Sequence, residues 1–304
     1  MVAEVQAIAH GKVNLHLGVG KLREDGYHDL VTIFQSVALH DVLTVRTVDG
    51  PGGVQKLSCS QAGVPLDHTN LAWRAAATVL EQYAQASGKP APSVELELHK
   101  GIPTAGGMAG GSADAAAALV ACNHLLGNPF DRTQLLTWAA ALGSDVPFTL
   151  MGGTALGTGR GEVLTPVLTR TTLHFALAFA REGLSTPAVF RKLDSLAHTP
   201  HLTTTALQQA LLRGDVEQVA AHIHNDMQPA ALSLAPGLRR TLEVGTAAGA
   251  LAGFVSGSGP TCAFVCASEN DAHIVAQELA EVAQVTTTTG VTTGAHVKGE
   301  PWPI

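Results

Sequence analysis

The sequence predicts a two-domain protein of the α+β class, and three observations support this assignment. The chain has 304 residues, whereas a domain typically has about 100–200, so two domains or one large domain are expected. The composition, 46% hydrophobic and 14% charged, is typical of a globular protein and excludes a disordered one. Near residue 165, strand-rich sequence gives way to helices followed by strands. We therefore predict domains at 1–165 and 166–304, with no proline- or serine-rich linker between them.

Each predicted element of the first half depends on a local pattern. Short apolar runs bounded by turn residues predict strands, spaced apolar residues behind an N-cap predict helices, and glycine clusters predict loops. The segment 5–48 is predicted to be extended, with apolar runs at 13–19 and 31–39 and the turn residues GYHD between them. The other elements are a strand at 94–98, a helix at 70–86 with Asn70 as candidate N-cap, a glycine-rich loop entering an alanine-rich helix over 102–119, a helix at 134–142 and a glycine-dense loop at 152–161.

The second half is predicted to be helical first and then extended. The same patterns predict strands at 173–180, 251–255 and 261–267, helices at 187–197, 204–212, 216–222, 236–248 and 271–283, and a threonine-rich final strand.

Charge and hydropathy exclude several functional classes. The net charge is −7, from 25 acidic and 18 basic residues, and there is no basic run, which disfavours nucleic-acid binding. The longest apolar stretch, 113–126, contains Asp114, Asn123 and His124 and is shorter than the ~18 residues of a membrane-spanning helix. The N-terminus lacks the pattern of a signal peptide. We expect a cytoplasmic protein with no membrane or nucleic-acid partner.

Cysteine and histidine pairs give weak signals. Four cysteines in so long a chain form no disulfide framework. Cys262 and Cys266 could be a metal or redox pair, but buried small residues are the favoured interpretation. His222 and His224 lack a third ligand nearby.

The glycine-rich loop at 103–113 predicts an anion site. Its glycines allow close approach of a ligand and are expected to adopt positive φ angles, and Ser112 is expected to open a helix whose N-terminus favours phosphate. A flexible loop capped by Ser112 is the alternative. A Walker A motif is excluded because no lysine follows Gly111, and Met108 replaces the middle glycine of the dinucleotide fingerprint.

Three further segments carry polar residues that are candidates for a functional site. Lys12 and Asn14 share one face of an apolar strand, Asp145 lies in a short Gly-Ser-Asp-Val-Pro turn, and 256–261 (SGSGPT) connects two strands. Each has an ordinary structural explanation, namely an edge strand, a turn residue and a hairpin.

Taken together and in order, HGKVNL, PTAGGMAGGSA and SGSGPT resemble the three motifs of the GHMP small-molecule kinase superfamily. Within it, GKVNLHLGVGKLREDGYHDLVTIFQSV and LGSDVPF are similar to the kinases of 4-diphosphocytidyl-2-C-methyl-D-erythritol. The resemblance runs from about Ala9 to about Ala267, and Gly-Tyr-His after the lysine strand is its specific part. It implies an ATP-binding N-terminal domain like domain 2 of ribosomal protein S5, a ferredoxin-like C-terminal α/β sandwich, and an active site in the cleft between them.

The resemblance also implies an activity. The 2-hydroxyl of the cytidine-diphosphate-linked methylerythritol would be phosphorylated by ATP in the non-mevalonate (MEP) pathway of isoprenoid biosynthesis, a reaction that needs positioning and charge stabilisation. Asp145 would be the general base, and Lys12 would hold it ionised and offset phosphoryl charge. ATP and Mg²⁺ are the implied cofactors.

The binding residues implied by the resemblance fall into two groups. The ATP group is Pro103, Thr104, Ala105, Gly106, Gly107, Met108, Ala109, Gly110, Gly111, Ser112 and Ala113 around the phosphates, with Asn70, Leu71 and Lys100 near the adenine. The substrate group is Asn14, Tyr27, His28, Phe34, Phe190, Gly257, Ser258 and Gly259, with Tyr27 and Phe190 stacking the cytosine and His28 reading its edge.

The sequence departs from the superfamily pattern at three positions. Ala113 replaces a common second serine, so Ser112 is the one hydroxyl left there for Mg²⁺, while Met108 replaces leucine and His10 replaces proline.

Particular residues oppose three alternative functions. An ATP-binding regulator without catalysis would need neither Lys12 nor Asp145. A dinucleotide oxidoreductase is opposed by Met108, and a homoserine or mevalonate kinase by Gly26-Tyr27-His28.

Overall fold

A computed structural model describes residues 3–24, 26–104, 106–180 and 182–300 and confirms the α+β class. The strands are β1 (Glu4–Leu22), β2 (His28–Val48), β3 (Gly53–Cys59), β4 (Ser93–His99), β5 (Thr154–Thr158), β6 (Val163–Pro166), β7 (His174–Phe179), β8 (His224–Asn225), β9 (Ala252–Val255), β10 (Cys262–Cys266), β11 (Gln284–Thr289) and β12 (His296–Val297). The helices are α1 (Leu71–Ser87), α2 (Gly110–Leu125), α3 (Arg132–Leu142), α4 (Val146–Met151), α5 (Thr186–Asp194), α6 (Thr205–Arg213), α7 (Val216–Ala221), α8 (Gln228–Leu234), α9 (Gly237–Ala247) and α10 (Glu269–Leu279).

The first sheet is built on a long antiparallel hairpin of β1 and β2, which have 19 and 21 residues. Its order is β12-β1-β2-β4-β3, with β5 and β6 continuing beside β2, and β8 pairing with β1. The pairing of β1 with β2 shifts register between His10 and Lys12 and again between Asn14 and His16. Such irregularities re-aim side chains, and here they flank Lys12 and Asn14.

Helices α1 and α2 pack against this sheet and against each other. Asn70 caps α1 as predicted, because its Oδ1 accepts a hydrogen bond from the Ala72 amide at 2.8 Å. Helix α2 is buried on most of its surface. Its alanines therefore serve close packing on all sides, which a helix with one apolar stripe does not need.

The second sheet is antiparallel, with the order β11-β7-β10-β9, and it packs against α9 and α10. Phe264 of β10 is fully buried in its core. A Cβ on Gly245 or Gly253 would lie 2.2 or 2.7 Å from the Phe264 ring, so these glycines make room for it. Strands β8 and β12 come after residue 166 but belong to the first sheet.

Three expectations about local structure need correction. The glycine-dense segment 152–161 contains β5, because Gly157 lets β2 approach closely: a Cβ there would lie 2.9 Å from Phe34 Cε2. The turn expected around Asp145 leads directly into a helix, α4, and the elements β3 and α8 were not predicted from the sequence. Helix α2 starts at Gly110 behind Ala109, so Ser112 lies inside its first turn and does not cap it.

The cysteines are free and belong to the packing, as expected. Cys122, Cys262 and Cys266 are buried, and burial raises the pKa of the Cys262 thiol to about 12 and that of Cys266 to about 11. Among the described residues, the helices are too short or too polar to cross a bilayer.

Candidate active site

A cleft of about 330 Å³ lies where the centres of β1 and β2 meet the glycine-rich loop, the start of α5 and the β9–β10 turn. It brings together residues that are up to about 245 positions apart in the sequence. Its walls are Lys12, Asn14, Leu17, Leu30, Thr32, Phe34, Gly106, Gly107, Ala109, Gly110, Gly111, Ser144, Asp145, Arg160, Thr186, Phe190, Met227, Gly257 and Ser258.

Lys12 and Asp145 form an ion pair in this cleft. The distance from Lys12 Nζ to Asp145 Oδ2 is 3.7 Å. The lysine side chain is only 6% exposed, whereas that of Asp145 is 31% exposed. Asp145 occupies the N-cap position of α4 without accepting a capping hydrogen bond. Its carboxylate therefore remains available to a ligand in the cleft.

A chain of hydrogen bonds fixes the lysine. Lys12 Nζ donates to Asn14 Oδ1 at 2.8 Å and to the Gly107 carbonyl at 2.9 Å. Asn14 Nδ2 donates in turn to Thr32 Oγ1 at 2.9 Å, and that hydroxyl donates to the His16 carbonyl at 2.6 Å. These partners hold the ammonium group in one position beside the aspartate.

Phe34 forms the floor near this pair. Its ring stacks on Phe148 with centroids 4.7 Å apart, and Lys12 Nζ lies 5.7 Å from the Phe34 centroid. Phe34 is buried and lines the cleft beside Lys12.

The glycine-rich loop and the β9–β10 turn touch each other through backbone atoms. A Cβ on Gly107 would lie 2.5 Å from the Ser256 carbonyl oxygen, and one on Gly257 would lie 3.3 Å from Lys12 Nζ. Gly107 has φ +73°. The expectation of positive φ is wrong for Gly106, Gly110 and Gly111, of which the last two are helical, whereas Ala109 is left-handed at φ 59°.

A second pocket, of about 290 Å³, shares Gly110 and Gly111 with the cleft. It includes the three residues that sequence analysis assigns to the adenine, together with Thr104. Its walls are Gly63, Val64, Pro65, Thr69, Asn70, Leu71, Lys100, Thr104, Gly110, Gly111 and Asp114.

Lys100 in this pocket is held by two buried carboxylates. Its Nζ contacts Asp41 Oδ2, and Asp114 Oδ2 at 2.6 Å. Burial alone would lower the pKa of Lys100, but the carboxylates of Asp114 and Asp41 outweigh it and raise the pKa. Asp41 Oδ1 also accepts from the Gly101 and Ile102 amides at 2.7 and 2.8 Å. The three side chains thus fix the chain segment that enters the glycine-rich loop.

Asp114→Asn is expected to change the pH dependence of stability. Burial raises the pKa of Asp114 from 3.8 to about 7, so the folded chain holds this proton more tightly than the unfolded chain. The wild type therefore loses stability as the pH rises from about 4 to about 7. The asparagine variant should lack this loss, as measured by urea denaturation at pH 5 and pH 8.

The control is Asp215→Asn, at an exposed helix N-cap, where asparagine caps equally well. An unchanged difference between pH 5 and pH 8 in Asp114→Asn would contradict the titration of this carboxyl.

At the other end of the cleft, His28 and Phe190 stack, with centroids 5.0 Å apart and ring planes at 15°. His28 is buried, and its Nε2 donates to Asp194 Oδ1 at 2.8 Å. Phe190 lines the cleft and also packs against the buried core of the second sheet. Tyr27 is 54% exposed, and the Arg160 guanidinium lies over its ring at 5.2 Å.

Several predicted site residues do not line either cavity. Met108 and Ala113 are buried in the core, and the Ser112 carbonyl accepts a hydrogen bond from Thr149 Oγ1 at 3.0 Å. Ala105 lies outside the described residues. The predicted residues absent from both walls are Tyr27, His28, Pro103, Met108, Ser112, Ala113 and Gly259.

Among the residues of the cleft and its support, Thr186, Arg160 and Asn225 were not predicted from the sequence. Thr186 Oγ1 and Ser258 Oγ share a hydrogen bond of 2.7 Å across the cleft. Asn225 supports the β9–β10 turn, since its Nδ2 donates to the carbonyls of Val255 and Gly257 at 2.7 and 2.8 Å. Arg160 has a sequence signal, a lone cation in a glycine-dense segment, and Asn225 follows the His222–His224 pair directly.

Comparison with known proteins places these features in a family. Residues 70–153 match the GHMP kinases N terminal domain, and residues 207–284 match the GHMP kinases C terminal domain. A 4-diphosphocytidyl-2-C-methyl-D-erythritol kinase of Corynebacterium diphtheriae is 55% identical over 97% of this chain and 98% of its own. That of Nocardia farcinica is 55% identical over 95% of this chain and 94% of its own.

Comparison with solved structures supports the same family. A crystal structure of 4-(cytidine 5'-diphospho)-2C-methyl-D-erythritol kinase superposes with a TM-score of 0.77 at 32% identity, covering 96% of this chain and all of the other. Homoserine kinase from Cytophaga hutchinsonii, at 20% identity and a TM-score of 0.76 over 97% of both chains, shares the fold. The chain belongs to the GHMP kinases and, within them, to the family of 4-diphosphocytidyl-2-C-methyl-D-erythritol kinases.

Proposed function

We propose that the chain uses ATP to phosphorylate the 2-hydroxyl of 4-diphosphocytidyl-2-C-methyl-D-erythritol in non-mevalonate isoprenoid biosynthesis, giving the 2-phosphate and ADP. The observation that carries the proposal is the Lys12–Asp145 pair, which lies in one cleft between the glycine-rich loop and the ring of Phe190. The named relatives from C. diphtheriae and N. farcinica support the choice of substrate.

Asp145 acts as the general base in this proposal. Its partly exposed carboxylate accepts the hydroxyl proton as the oxygen attacks the γ-phosphorus of ATP. Lys12 offsets the negative charge that spreads over the transferred group, because its ammonium is held 3.7 Å from the base. The hydrogen bonds from Lys12 to Asn14 and Gly107 hold the ammonium group in place for this role.

The ATP phosphates are proposed to lie along 106–111. The first amides of α2 have no partner within the helix, and its dipole favours an anion. Gly110 and Gly111 belong to both cavities. The adenine is thus proposed to lie in the second pocket, beside Asn70 and Leu71.

Magnesium is proposed only as the ion that accompanies the ATP phosphates. Within the described ranges, no group of three or more His, Cys, Asp or Glu side chains is placed to hold a metal, and Ser112 does not line the cleft. The donor set offers no ready-made Mg²⁺ site, although this ion often uses few protein ligands besides phosphate oxygens and water. The assignment of Ser112 as a ligand stays a prediction.

The cytosine is proposed to lie against Phe190, with Tyr27 closing its other side and His28 reading its edge. Because the Asp194 carboxylate accepts from Nε2, the proton of a neutral His28 is on Nε2 and its Nδ1 is an acceptor. Such an acceptor suits the 4-amino group of cytosine and opposes the 4-carbonyl of uracil. Stacking on the rings would tolerate either base.

His28→Ala is expected to raise KM and to narrow the preference for the cytidylyl over the uridylyl substrate. A site built around hydrogen bonds rejects a mismatched partner strongly, because its polar groups are left unpaired. Tyr27→Ala should instead weaken both substrates together, by about 1–3 kcal/mol of lost stacking. The measurement is the ratio of kcat/KM for the two substrates.

His99→Ala, at an exposed histidine of β4, serves as the control and should leave the ratio unchanged. If His28→Ala also leaves it unchanged, the cytosine edge is read by another residue.

A coupled assay of ATP consumption tests the proposed reaction itself. We expect turnover with the cytidine-diphosphate-linked methylerythritol and none with mevalonate or homoserine. Turnover with homoserine alone would support the related kinase reaction of the same fold, and ATP binding without turnover would support a regulator.

A further inference from the structure

Arg160 lies in the turn between β5 and β6 and lines the cleft, but it takes no part in the proposed proton transfer or in ATP binding. The turn is fixed beside the hairpin of the first sheet, because the Leu30 amide donates to the Gly159 carbonyl at 2.7 Å. Glu162 supports the arginine from behind: its Oε2 accepts from the Arg160 amide at 2.6 Å, and its Oε1 lies 3.4 Å from Arg160 Nε.

The guanidinium lies between two regions of the cleft. Its Cζ is 5.2 Å from the centroid of Tyr27, on the pyrimidine side. The next residue, Gly161, would place a Cβ 3.5 Å from the Phe34 ring, and Phe34 adjoins Lys12. In a nucleoside diphosphate linked to an alcohol, the diphosphate is the part that joins the base to the reacting end. Arg160 therefore lies in the part of the cleft where the diphosphate of such a substrate is expected to bind.

The charged groups of the cleft also favour Arg160 as the residue that contacts the diphosphate. Lys12 already has Asp145, Asn14 and the Gly107 carbonyl around its ammonium. Among the residues that the structure describes, neither Nη of Arg160 has a hydrogen-bond partner, while Nε faces Glu162. A guanidinium offers donors in a planar fork that matches two phosphate oxygens, and a ring on one of its faces limits its motion.

We propose that Arg160 binds the diphosphate of the substrate and so selects nucleoside diphosphate conjugates over alcohols without this group. This inference deepens the proposed function and depends on it for the identity of the substrate. Glu162 and Tyr27 act as positioning residues for the guanidinium, from its Nε side and from one face.

Calorimetric binding to the full chain tests the proposal with cytidine, CMP, CDP and pyrophosphate as probes. In Arg160→Ala, CDP affinity should fall about 10- to 100-fold, the range for a lost charge-assisted hydrogen bond, whereas cytidine affinity should stay within about twofold of that of the wild type. Arg160→Lys keeps the charge but not the fork, so its CDP affinity should be intermediate. In turnover, KM should rise with little change in kcat.

Arg240→Ala is the matched control, because Arg240 is an exposed arginine of α9, 4.0 Å from Glu243. It should change none of the affinities, and unchanged thermal unfolding of Arg160→Ala would show that the turn is intact. Equal losses for cytidine and CDP would overturn the proposal in favour of stacking on the base, and unchanged CDP affinity would exclude Arg160 from the site. If the wild type binds neither cytidine, CMP nor CDP, the proposed substrate is wrong. If pyrophosphate affinity nevertheless falls in Arg160→Ala, Arg160 still binds a diphosphate, and only the identity of the substrate is contradicted.

Discussion

Asp145→Asn is expected to lower kcat by about 10²–10⁴-fold, the usual contribution of a positioned general base. The amide has the shape of the carboxylate but cannot accept the hydroxyl proton. Because Asp145 makes no capping hydrogen bond in α4, the substitution should leave the fold unchanged. Single-turnover phosphorylation and circular dichroism measure the two effects separately.

ATP affinity should change little in this variant, since the phosphates are proposed to lie on 106–111 and not on Asp145. Asp131→Asn provides the control: Asp131 also begins a helix, and its side chain accepts from the Gln134 amide, a role that asparagine fills. Wild-type turnover in Asp145→Asn would remove Asp145 from the mechanism.

Gly107→Ala is expected to destabilise the protein and to weaken ATP binding together. A left-handed φ of +73° costs an alanine about 1–2 kcal/mol. Its Cβ would also lie 2.5 Å from the Ser256 carbonyl oxygen and 3.0 Å from that of Gly259, and relieving such overpacking typically costs about 1–3 kcal/mol more. Urea denaturation and ATP titration give the two readouts.

Gly88→Ala separates these two costs. Gly88 follows α1 with φ +65°, and a Cβ there meets nothing within 4 Å, so this variant carries the conformational cost alone. Equal losses of unfolding free energy in the two variants would show that the glycine-rich loop yields to the β9–β10 turn without cost.

Local patterns predicted what local interactions decide. The cap of Asn70 on α1 and the strand-turn-strand at β9 and β10 follow from residues close in sequence, and both are present. The extended segment 5–48 corresponds to the hairpin of β1 and β2. By contrast, the partners of the 21-residue β2, which are β1, β4 and β5, are distant in sequence and no local pattern indicates them. The domain boundary at residue 165 stays a prediction.

The residues alone predicted less of the candidate site than of the fold. Lys12 and Asp145 became candidates through family resemblance, and only the fold brings them to 3.7 Å. Asp41 pairs with Lys100, which is 59 positions away, and nothing around Asp41 in the sequence signals this contact. The left-handed Ala109 could not be predicted either, because alanine disfavours that conformation and packing must impose it.

The contact between Gly107 and the β9–β10 turn has a consequence for motion during catalysis. The Gly107 backbone lies against the Ser256 carbonyl there, and the Ser256 hydroxyl also donates to the Gly107 carbonyl at 3.4 Å, so the two segments are already in contact. A hinge that narrows the cleft by pressing these segments together is sterically blocked. We therefore expect substrate entry to involve opening of the cleft, or sliding along this contact, and no further approach of the two segments.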